Sequence, residues 1–163
     1  MTVFQLILFC ALFTLMVKIA VGNNALNGLY FYPKPVQERA FEIGLTNPET
    51  VARKRKRFMI PFFIVMLAAL VLIIGFWNRV KTFWPAYLQA LLFLEVMNWY
   101  DGIVIDKVWV GYSKFWLLPG CEDIPYVQTW KQVLKKRGLL TLIWVIGAAI
   151  VAGIVVLVFQ KHS

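Results

Sequence analysis

The sequence predicts an all-α integral membrane fold with four transmembrane helices, and three observations carry that expectation. Hydrophobic residues make up 61% of the 163-residue chain and charged residues only 15%, a balance far outside the range of soluble domains. Four stretches reach the roughly 20 apolar residues that a helix needs to cross a hydrocarbon core about 30 Å thick. Lys and Arg are concentrated in alternate connecting segments. Backbone inside lipid must bond to itself, and the apolar runs lack the alternation of a membrane barrel, so helices are the expected spanning form. The chain therefore reads as a single four-helix transmembrane domain over residues 1–163, with spans near 2–21, 58–77, 86–105 and 139–159.

The first span lacks the basic leader and small-residue cleavage site of a signal peptide, so it is expected to stay on the mature protein. Lys18 near its end is expected to reach toward the head groups. In the loop 22–57, Val36, Ala40, Phe41 and Ile43 fall on one helical face, which predicts a short amphipathic helix at the membrane surface. Thr46-Asn47-Pro48-Glu49 is a helix-start signature: a capping side chain, proline at the first position and an acid in the first turn. A long helix should begin there and run through Arg53, Lys54, Arg55, Lys56 and Arg57 into the second span, with a kink expected at Pro61. The third span follows a short link. The loop 106–138 carries Ile124, Val127, Trp130 and Val133 or Leu134 at helical spacing beside Lys131, Lys135, Lys136 and Arg137, which predicts a second interfacial amphipathic helix. In the last span, Ala148/Ala152 and Ala149/Gly153 are small-residue pairs that let another helix come close, in the same chain or in a second copy.

The distribution of basic residues sets the expected orientation. The two long loops hold thirteen Lys and Arg, whereas Arg79, Lys81 and Lys161 are the three on the opposite side. The positive-inside rule then places both loops in the cytosol and both termini outside. The net charge of +9 follows from this asymmetry, so it does not point to nucleic acid. No aromatic residue interrupts the run from Arg53 to Arg57, which reads as a topology anchor meeting anionic lipid head groups.

Chemistry is concentrated in the third span. At about 100° per residue, Glu95, Asn98, Gly102, Asp106 and Ser113 share one face, with Trp99 and Trp109 beside them and Asp101 on the flank. Depth ranks the three acids. Asp106 should reach the cytosolic interface, Asp101 should lie about a turn deeper, and Glu95 should sit near mid-membrane, where a charge costs a few kcal/mol unless it is protonated, paired or hydrated. Glu95, Asn98, Asp101, Asp106, Trp99 and Trp109 are thus the expected binding residues, with Glu95 foremost. The bland alternative has Glu95 neutral and hydrogen-bonded across helices, with Asp101 and Asp106 paired to loop cations such as Lys107 or the Arg53–Arg57 run.

No cofactor or metal is expected. His162 at the tail is the only histidine, and Cys10 and Cys121 have no metal-ligand spacing and read as ordinary thiols.

The wording PKPVQERAFEIGL in the first loop, with NWYDGIVID and WVGYSKFWLLPGCEDI further on, resembles a group of small four-span membrane proteins of Gram-positive bacteria over most of the chain. That resemblance implies a four-span fold and a bacterial plasma membrane. It implies no activity.

The expected function is a small binding or transport component with an intramembrane carboxylate-lined site for a proton, a cation or an amphiphile, working as a homo-oligomer or within a larger membrane complex. One alternative is an intramembrane enzyme acting on a lipid or isoprenoid head group, with Asp101 and Asp106 holding a divalent ion. Two aspartates five residues apart lie far apart around an α-helix, and no nucleophile and base pair is evident. The other alternative is a non-catalytic scaffold subunit.

Overall fold

The computed structural model describes residues 2–160; Lys161, counted above on the non-cytosolic side, and His162, the histidine at the tail, lie outside the described residues. Among the described residues there are four helices long and apolar enough to cross a membrane. These are α1 (Val3–Val21), α3 (Pro48–Trp77), α4 (Phe83–Tyr112) and α5 (Trp130–Phe159). A shorter helix, α2 (Lys34–Glu42), lies in the first long loop and buries Val36 and Ala40.

Local chemistry accounts for the ends. Asn47 caps α3 by accepting from the Thr50 backbone N–H at 2.8 Å, with Pro48 in the first turn. Helix α3 then runs without interruption through the basic run and through Pro61. At the start of α5, the Gln132 N–H donates to Thr129 Oγ1 at 3.3 Å, and the Thr129 N–H donates to Gln132 Oε1 at 2.7 Å, a reciprocal capping box.

That cap corrects one expectation. No separate amphipathic helix forms over residues 124–134: the chain is irregular up to Thr129, past Pro125, and everything from Trp130 onward belongs to α5. The helical spacing read in Trp130, Val133 and Leu134 was real, but it marks the first turns of the long helix. The third helix also extends beyond the expected 86–105, to Tyr112.

Helices α4 and α5 pack most extensively. Ala86 and Ala90 of α4 and Ala148 and Ala152 of α5 are all fully buried, small residues of the kind that let helices approach closely. The Ala148/Ala152 pair is therefore spent inside the chain. Helix α1 joins through edge-to-face ring contacts, Phe9 with Phe93 at 5.5 Å and Phe13 with Phe62 at 5.6 Å.

The two long loops fold against each other over one end of the bundle. The Tyr32 hydroxyl donates to the Trp116 carbonyl at 2.7 Å, and Arg39 pairs with Asp123 at 3.4 Å. The phenol of Tyr32 is pushed well above its ordinary pKa by burial, so it remains a donor at any physiological pH. At the opposite end, Gln5 of α1, Asn78 of the α3–α4 link and Gln89 of α4 form a chain of amides.

Candidate functional site

The site is built around a change in helix geometry. From Asp101 to Trp109, helix α4 adopts π-helical bonding, i to i+5. An ideal α-helix turns about 100° per residue and would carry residues 101 and 106 to different faces. The wider π turn brings residues five apart closer to one face, and Asp101 and Asp106 present their carboxylates to the same neighbour.

That neighbour is Arg137, in the second turn of α5. Its Nη1 donates to Asp101 Oδ2 at 2.6 Å and its Nη2 to Asp106 Oδ2 at 2.5 Å. One guanidinium thus spans two carboxylates, using the fixed fork that lysine lacks. Asp106 Oδ2 also accepts from Lys136 Nζ and from Gln128 Nε2, both at 3.3 Å. Two acids therefore face two bases, and the cluster is charge-balanced. Arg137 is 2% exposed, a position that a lone charge could not hold without several kcal/mol of desolvation.

Backbone and polar side chains seat the arginine. Asn98 Nδ2 donates to the Arg137 carbonyl at 3.1 Å. The single hydroxyl proton of Thr141 lies between Glu95 Oε2, at 2.9 Å, and that same carbonyl, at 3.2 Å. Gly102 makes the approach possible: a Cβ there would stand 2.8 Å from Arg137 Nε and 3.1 Å from a methyl of Val133. The sequence reading placed Gly102 on the polar stripe, and its role is to leave room for the guanidinium.

Against this cluster lies a cavity of about 440 Å³, within the range of small-molecule sites. Its walls are mostly aromatic and aliphatic: Phe13 and Val17 from α1, Phe58, Phe62 and Phe63 from α3, Met97 and Ile105 from α4, and Leu140, Ile143 and Trp144 from α5. Its polar end is formed by Asn98, Asp101, Asp106, Gln128, Lys136 and Arg137. The loops close it with Tyr32, Trp116 and Tyr126. Among the described residues, no three His, Cys, Asp or Glu side chains gather as metal ligands.

Of the residues expected from sequence, Asn98, Asp101 and Asp106 line this cavity, whereas Glu95, Trp99 and Trp109 do not. Glu95 faces Thr141 of α5, and its Oε1 is buried without a hydrogen-bond partner. Trp99 is partly exposed on the outside of the bundle, and Trp109 packs edge-on against Trp116 at 5.2 Å. None of Arg53, Lys54, Arg55, Lys56 and Arg57 lines the cavity; Lys54 donates to Asn27 in the first loop. Lys107, the expected partner for the aspartates, instead donates to the Gln128 carbonyl and lies 5.0 Å from the Trp130 ring.

Sequence reasoning missed Arg137 because it was counted with its neighbours as a loop cation. A signal was present. Arg137 immediately precedes the apolar run from Gly138 onward, and a cation on another helix is one way to offset two acids in an apolar helix. No family model, curated protein or solved structure matches this chain.

Proposed function

We propose that this chain is a multi-pass membrane protein that takes one amphiphile into the interhelical cavity, with the apolar chain among the aromatic walls and the polar head against Asp101, Arg137 and Asp106. It acts as a binding or transport component. The observation that carries the reading is the cavity itself, a space of about 440 Å³ that is apolar along its length and ionic at one end. Such a division matches a ligand divided in the same way. A free cation is the weaker occupant, because Arg137 and Lys136 already neutralise the two carboxylates.

The loop end faces the cytosol in this reading, with both termini outside and a plasma membrane around the bundle, on the strength of the basic loops. The exposed cations Arg53, Arg55, Lys56 and Arg57 then meet anionic head groups of the cytosolic leaflet. A reporter fused to the C-terminus should be silent on the cytosolic side, and a cytosolic signal would reverse the assignment.

The ligand reading is tested with purified protein in lipid nanodiscs containing a lysophosphatidylcholine that carries a diazirine at the end of its acyl chain. Illumination and peptide mapping should place adducts on Phe62, Met97 or Trp144. Adducts confined to outward side chains such as Leu142 and Ile146 would overturn the reading.

A further inference from the structure

Resting on the amphiphile reading above, we infer that the cavity loads sideways, by an acyl chain of a surrounding bilayer lipid passing between α3 and α5. Three of the four helix-to-helix walls carry buried packing contacts. Helices α4 and α5 pack most extensively and both bury alanines, α1 and α4 meet at Phe9 and Phe93, and α1 and α3 at Phe13 and Phe62. The loops cover the end, fastened by the Tyr32 to Trp116 hydrogen bond.

The wall between α3 and α5 is different. At the end away from the loops these helices press together, so tightly that a Cβ on Gly75 would fall 2.1 Å from the Phe159 ring. Toward the loops the cavity lies between them, with Phe62 and Phe63 on one side and Ile143 and Trp144 on the other. Phe63 and Ile143 line the cavity and are also 52% and 51% exposed. They are the lips of an opening.

What lies outside that opening decides its occupant. Flanking Phe63 are exposed Ile60 and Ile64, and flanking Ile143 are exposed Leu142 and Ile146. A mouth set in a continuous apolar surface on spanning helices opens into hydrocarbon rather than water. At its polar lip, Lys136 is 46% exposed along its side chain while bonded to Asp106, placing a cation at the level where a head group would pass. The acyl chain enters between Phe63 and Ile143, and its head follows along Lys136 to the cluster.

Bridging the lips tests the route. In the double variant Phe63→Cys, Ile143→Cys, a bis-maleimide joins the two helices, and the two single variants treated alike control for bulk. Native Cys10 and Cys121 are both buried, and burial raises the Cys121 thiol above its ordinary pKa, so neither competes well for the reagent. The probe is the same diazirine lysophosphatidylcholine, added to nanodiscs after bridging. Cavity labelling should fall at least tenfold in the bridged double variant relative to the same double variant left unbridged, and by far less in the treated singles. Undiminished cavity labelling after bridging would overturn the lateral route and leave the amphiphile reading standing. Absence of cavity labelling in the unbridged protein would overturn both. Should the double variant fold poorly, Phe63→Ala with Ile143→Ala is the second measure: widening the lips should speed labelling several-fold, and an unchanged rate would sink the route.

Discussion

The two ends of the bundle handle buried polar groups in opposite ways. Away from the loops, Gln5 Nε2 donates to Asn78 Oδ1 at 2.7 Å, Asn78 Nδ2 donates to Gln89 Oε1 at 2.8 Å, and Gln5 Oε1 accepts from the Thr2 N–H at 3.0 Å. Each link is neutral and closes on the next. At the loop end, Arg137 bonds the carboxyl groups of Asp101 and Asp106 in place of amides, a π-helical stretch and a glycine accompany the contact, and a cavity borders it. Helix association alone is served by amides at far lower desolvation cost than by ions. The contrast teaches that holding helices together is not a sufficient reason for the ionic cluster, which is why the functional reading is placed there.

Removing the arginine should produce the largest effect. Arg137→Met leaves two carboxylates without their principal counter-charge, and a loss of about 3–5 kcal/mol is expected on the measured cost of breaking buried pairs. Reversible unfolding in mixed micelles reads it. The comparison is sharpened by the triple variant Asp101→Asn, Asp106→Asn, Arg137→Met, which converts the charged end into a neutral one. It should recover most of the stability while still losing cavity labelling. Recovery of both would show that the charges serve no ligand.

Next in size is Gly102→Ala. The added carbon would meet Arg137 Nε at 2.8 Å, and the arginine cannot retreat without loosening both carboxylate bonds. Over-packing at a rigid site costs typically 1–3 kcal/mol. Gly75→Ala is the companion at the other end. Its added carbon would meet the ring of Phe159, the last residue of α5, at 2.1 Å, so a loss of comparable size is expected there, with cavity labelling kept.

The fold was legible because its signals are local. Apolar run lengths located four helices, and Asn47-Pro48 and the basic run marked the start and course of α3. The site was half legible. Asn98, Asp101 and Asp106 were chosen because charge in a spanning segment is expensive wherever its partner lies. Their partner was hidden by two things no periodicity reports. A π-helical stretch changes the angular step, so the azimuths computed at 100° per residue set Asp101 aside from Asp106 when they in fact face one cation. The second amphipathic segment was also cut from α5 in the reading, although Thr129 and Gln132 were available to mark the true helix start, and that cut left Arg137 in a loop. Glu95 was ranked first by depth alone, and depth does not say which side of a helix a cavity will occupy.

A smaller effect is expected from Asn78→Leu, the direct counterpart of the arginine variant at the closed end. It strands Gln5 Nε2 and Gln89 Oε1, each of which keeps some freedom to find a new partner near the bundle end. Hydrogen bonds between membrane helices average about 0.6 kcal/mol and reach about 1.7, so a loss near 1 kcal/mol is expected by the same unfolding measurement. Cavity labelling should be unchanged, since none of these amides lines the cavity. A loss of labelling with intact stability would mean that the two ends are coupled through α4, and that the division between a closed structural end and an open binding end is drawn in the wrong place.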